Sequence, residues 1–246
     1  MLDLIGSLLM GVVCAVDVIV LISLAAIRPV ARFAAFLIAA AWASVIFAIG
    51  AMGGFGPGVT GPFPSPVIAF LILMIGGLIA FFDWPSFRNA LLSLPLTALV
   101  AINACRIGGV GFLILHNQGR LAAPFATSAG WGDIITGLAA IPLAFMASRG
   151  NLPRGLLTIW NVFGTLDLIV AIMLGALSAP GTPFQLFTEA PGTLAMGTLP
   201  WVVIPTLLVP LYLLTHLTIA TRLRLRSTIT VPGNNRPNDT LTNRAA

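Results

Sequence analysis

Seven long apolar stretches fill almost the whole chain, separated by short breaks where Arg, Gly and Pro collect. A helix crossing about 30 Å of hydrocarbon needs roughly 20 residues, and this ruler predicts spans over 4–27, 30–52, 66–82, 95–116, 129–147, 155–178 and 196–221. The fold class that follows is all-α, a polytopic bundle of seven transmembrane helices occupying residues 1–221. A basic tail, residues 222–246, turns polar after Arg226 (STITVPGNNRPNDTLTNRAA) and is expected to be disordered, because nothing in it can bury a core. The opening Met-Leu-Asp-Leu lacks the basic region of a secretory signal, so the first helix is expected to be retained.

Composition points the same way. With 58% hydrophobic and 8% charged residues, a soluble domain would leave apolar surface facing water, so the lipid bilayer is the expected partner. The net charge of +5 does not imply nucleic acid, because the arginines are scattered between spans rather than gathered on one face. With seven spans, Arg28, Arg32, Arg88, Arg149, Arg154, Arg222, Arg224 and Arg226 fall on one side, and Arg120 falls on the other. The positive-inside rule then predicts an external N-terminus and a cytoplasmic C-terminus, with the three arginines after the last span touching anionic headgroups. All twelve basic residues are Arg. Without lysine no retinal Schiff base can form, which excludes a rhodopsin-type photoprotein. Cys14 and Cys105 read as small residues buried within spans. The segment GGFGPGVTGPFPSP between Gly53 and Pro66 cannot be helical; a plain exposed loop is the preferred reading, and a fold over the outer mouth the alternative.

Four charged side chains interrupt the apolar spans: Asp17, Arg106, Asp133 and Asp167. A charge at mid-bilayer costs about 2.5–3.5 kcal/mol on insertion scales, so each implies a partner, a water-filled cavity or a function. At 1.5 Å per residue, Asp17 lies about 20 Å from the outer end of its span, Arg106 about 15 Å, and Asp167 about 18 Å from the inner end of its own. All three are therefore expected near mid-depth, with Asp133 higher, about a turn inside the outer end, as an entrance residue or a helix N-terminal charge. One guanidinium bridges at most two carboxylates, so at least one Asp needs water, another donor or a proton. Asn103, one turn before Arg106, and Asn161, ahead of Gly164 and Asp167, supply neighbouring amides. The glycines around Arg106 and Asp133 allow close helix approach. Pro205 and Pro210 free carbonyls near Trp201 and Thr206 that need partners.

His216, one turn beyond Tyr212, is placed near the inner face when counted from residue 196, and the pair reads as an interfacial anchor secondary to the charged site. His116 lies at the opposite end of its span, so the two histidines cannot share an iron. No metal site, cofactor fingerprint or catalytic motif is present in the sequence pattern.

The runs RIGGVGFLILHNQGRLAAPFATSAGWGDIITG, NVFGTLDLIVAIMLG and LPWVVIPTLLVPLYLLTH, from about Arg106 to His216, resemble a family of bacterial multi-pass inner-membrane proteins with no assigned activity. The family pattern matches Arg106, Gly132 and Asp133, Asn161 and Asp167, Pro205, Pro210 and His216. Ala-Ala-Pro-Phe-Ala-Thr-Ser replaces its usual Leu-Pro and Pro-Ala-Gly, which concerns the outer loop. The resemblance implies a bacterial inner-membrane location and no mechanism. The expected function is a small-solute or proton- or ion-coupled carrier with its site at Asp17, Arg106 and Asp167. The alternative is a binding or assembly module, docking a membrane protein or a second copy, in which the Arg–Asp pair is structural.

Overall fold

The computed structural model describes residues 2–229, and among these seven helices are long and apolar enough to cross a membrane. Helices α1 (Leu2–Leu24), α2 (Pro29–Ala51) and α3 (Ser65–Asp83) form the first three spans. A short α4 (Pro85–Ser93) leads into the fourth, which joins α5 (Leu96–Ala101), an eight-residue 3-10 stretch (Ile102–Gly109) and α6 (Val110–Asn117). Helices α7 (Phe125–Ser148) and α8 (Arg154–Leu177) follow. The seventh span begins with a π-helical turn (Ile204–Leu208) and continues as α9 (Val209–Ile229). No strand occurs among the described residues. Prolines in the first turn open α2, α3 and α4, where the missing N–H has no intrahelical partner to lose.

The centre of the bundle is α7, against which the fourth span and α8 pack; α9 packs on α8 and is backed by α3. Helix α1 lays one stripe, Gly6, Met10, Val13, Asp17 and Leu21, against the fourth span and the seventh, while α2 buries only Ile46 and is the outermost element.

Contacts between loops sort the ends of the bundle. At one end the Asp3 carboxylate accepts from Arg120 Nη1 and from Trp201 Nε1, both at 2.9 Å, tying the start of α1 to the loop after the fourth span and to the approach to the seventh. At the other end Arg222 donates to the carbonyls of Leu92 and Leu94, Arg154 to Leu223 O at 2.9 Å, and Ala26 N to Ser93 Oγ at 2.9 Å. This alternation is the one a seven-span count requires. The Asp3–Arg120 pair is more than one third exposed, so Asp3→Asn is expected to cost under about 1 kcal/mol, read as a shift of only a few degrees in thermal melting.

Four expectations change. The last helix runs to Ile229, so Arg222 and Arg224 belong to it rather than to a tail starting at 222; residues 230–246 lie outside the described residues. The seventh span starts at Ile204 and not at 196, because 194–197 form a separate 3-10 turn before Pro200 and Pro205. The fifth span starts at Phe125 and not at 129, so Asp133 sits more than two turns inside it. The Gly- and Pro-rich loop is not a plain exposed connection: Phe55 is buried, its carbonyl lies against Gly197, and the Phe63 ring sits 5.5 Å from that of Phe184.

Candidate functional site

The fourth span departs from α geometry where its charge lies. An eight-residue 3-10 run is about twice the usual length, and its three residues per turn stack Asn103, Arg106 and Gly109 on one buried face. That face meets α7 backbone to backbone. A methyl at Gly137 would lie 2.7 Å from Ile107 N, and one at Gly130 would lie 3.2 Å from Gly109 O, so bare glycines set the helix separation.

Arg106, 3% exposed, uses this close approach to reach three other spans. Nε donates to Asp133 Oδ1 of α7 at 2.7 Å, and Nη2 donates to Asp167 Oδ2 of α8. Nη1 donates to Gly164 O at 3.3 Å and faces His216 Nε2 of α9 at 3.2 Å. A guanidinium has only donors, so His216 Nε2 must accept and the ring proton sits on Nδ1. Nδ1 then donates to Asn161 Oδ1 at 2.9 Å, while Asn161 Nδ2 donates to His216 O at 3.2 Å. Asn161 therefore fixes the tautomer that receives the arginine. The ring of Trp160 backs the imidazole at 5.2 Å, held by its own Nε1 on Thr136 O at 3.0 Å.

Two further glycines leave room for these side chains. A methyl at Gly132 would collide with the Asp167 carboxylate, and one at Gly164 would stand 2.7 Å from His216 Cε1. The spacing Asn161, Gly164, Asp167 thus carries a holder, a gap and an anion on one face of α8.

The expected grouping of Asp17, Arg106 and Asp167 is only half realised. Asp133 is not an outer entrance residue but the second carboxylate on Arg106, whereas Asp17 is fully buried elsewhere. Its Oδ2 accepts from Tyr212 Oη at 2.8 Å, and its Oδ1 has no hydrogen-bond partner. Tyr212 and His216 are 4% and 1% exposed, so they are core members of the polar interior and not an interfacial anchor. Counting from 196 places both about two turns too deep, because the span starts at Ile204. Asn103 serves neither ion, donating instead to Leu99 O at 2.9 Å with Oδ1 unpaired. The carbonyls released by the prolines are occupied within the protein: Thr206 O accepts from Trp42 Nε1 at 3.1 Å, and Trp201 O from Ile204 N at 3.1 Å. Cys14 and Cys105 are unpaired by disulfide and only partly buried. No three His, Cys, Asp or Glu converge as metal ligands among the described residues.

A family model described as a domain of unknown function (DUF8737) matches residues 63–224. The chain belongs to that family. No curated protein and no solved structure matches the chain. The DUF8737 region runs from the end of the Gly- and Pro-rich loop into α9, and so contains Arg106, Asp133, Asn161, Asp167, Tyr212 and His216 together. Asp17, on α1, lies outside it.

Proposed function

We propose that the chain is an integral membrane protein in which Asp133, Arg106 and Asp167, supported by His216 and Asn161, form the mid-membrane site of a small-solute or proton- or ion-coupled carrier. The supporting observation is the charge count. Two carboxylates share one guanidinium and the adjoining imidazole is neutral, so a fully ionised cluster carries one negative charge too many for a low-dielectric interior. A proton or a cation supplies the balance, and reversible balance is what a coupled carrier uses. Counted along the helices, Asp133, Asp167 and His216 all lie about 12–18 Å from the end that holds Asp3.

Orientation follows from the arginines. Seven described ones, Arg28, Arg32, Arg88, Arg149, Arg154, Arg222 and Arg224, lie at one end and Arg120 at the other, which supports a cytoplasmic C-terminus in a bacterial inner membrane. Reconstituted in vesicles, the parent should move protons or a small polar solute, and Asp167→Asn should lower that flux about a hundredfold with its melting temperature nearly unchanged. A parent that passes neither would overturn the carrier reading.

A second reading has its own support. Arg106 already has a partner for each of its three nitrogens, contributed by three other spans, which is what a structural lock needs. In that reading the glycines that fill the bundle serve contacts within the chain, and Arg106 and Asp167 exchanged for one another should recover lost stability without any flux.

A further inference from the structure

The acid that the Arg106 cluster leaves out has a route to it. A small cavity lies between α1, the 3-10 stretch of the fourth span and the start of the seventh, with room for water. Arg106 and Asp133 line one part of it, Cys105 and Tyr212 another, and Met10, Phe112 and Leu208 give it apolar walls. Behind Tyr212 stands Asp17, fully buried, its Oδ2 accepting from Tyr212 Oη at 2.8 Å and its Oδ1 without a hydrogen-bond partner. A carboxylate with only a phenol and the weak donor of the Cys105 thiol beside it, and no cation, is poorly stabilised as an anion in this setting.

We propose that Asp17 is a second proton site, filled and emptied through Tyr212 from the cavity that Asp133 faces. The proposal rests on the carrier reading of the Arg106 cluster and names its cargo as the proton. In the transfer step a carboxylic acid at Asp133 gives its proton to cavity water, and that water gives one to Tyr212 Oη. The phenol releases its original proton to Asp17 Oδ2, so one O–H bond breaks and one forms at the water and at the phenol, Asp133 loses its O–H, Asp17 gains one, and the tyrosine ends as it began. The groups facing this path are Arg106 and Asp167 beside Asp133, and Cys14 and Cys105 beside Asp17. None of them carries a positive charge next to Asp17, so a proton is the species that balances it.

The experiment combines proton flux in vesicles, read by an internal pH dye, with infrared difference spectra after a pH jump, in which a protonated aspartic acid gives its own carbonyl band. Three proteins are compared: the parent, Tyr212→Phe and Asp17→Asn, the last keeping an acceptor for the phenol. The expected result is flux lowered about a hundredfold in both variants, with the Asp17 band missing in Asp17→Asn and delayed in Tyr212→Phe. Parental flux in both variants overturns the relay and leaves the carrier reading standing. If the parent carries no flux, the carrier reading fails and the spectra decide: a band lost in Asp17→Asn and delayed in Tyr212→Phe keeps the proton site, whereas no such band refutes it.

Discussion

Replacing Arg106 with glutamine should cost about 3–5 kcal/mol, the penalty for removing one member of a buried ionic group and stranding the rest. Asp133 and Asp167 converge on the guanidinium from α7 and α8, and without it two carboxylates face each other with no cation between them. His216 loses its donor as well, so the Asn161-fixed imidazole has nothing to accept from. Unfolding in mixed detergent micelles measures the loss. Adding Asp167→Asn to the Arg106→Gln background should return part of it, because two amides can hydrogen-bond where two charges could not. If the double variant is no more stable than the single one, the cost lies in helix packing and not in charge. A parental melting point for Arg106→Gln would remove both readings of the cluster at once.

The seven spans were legible because hydrophobic blocks of this length have few alternatives, and their alternation was carried by arginines that the loop contacts sort to the same ends. Arg106, Asp133, Asn161 and Asp167 were legible as polar groups within apolar sequence. What the sequence did not carry was depth. Counting 1.5 Å per residue assumes unbroken α-helix, yet the fourth span contains a 3-10 run and the seventh opens on a π turn. A start eight residues early moved His216 from the cluster to the membrane surface, and a start four residues late moved Asp133 the opposite way. Partner choice was equally hidden. Whether Arg106 takes Asp17 or Asp133 depends on which helices lie side by side, and that is set by glycine contacts such as Gly137 on Ile107, which no periodicity in a single span reveals.

Those glycine contacts predict the second large effect. Gly132→Ala adds a methyl on the line of the Asp167 carboxylate, which must leave the position from which it accepts from Arg106. Overpacking of about 1–3 kcal/mol and the loss of a charged hydrogen bond of about 1.5–3 kcal/mol both apply, so a destabilisation of about 3 kcal/mol or more is expected. Gly164→Ala meets the edge of the His216 ring at 2.7 Å and should cost less if the imidazole turns, at the expense of its bond to Asn161. Gly11 and Gly76 have no atom within 4 Å of the added methyl, so alanine there should be neutral or gain up to about 1 kcal/mol from helix propensity. Melting curves of the four single variants test the set together. A uniform response would mean that helix propensity alone governs these positions. A large loss at Gly132, a smaller one at Gly164 and none at Gly11 or Gly76 would mean that the space reserved for the Arg106 cluster is what those two glycines supply.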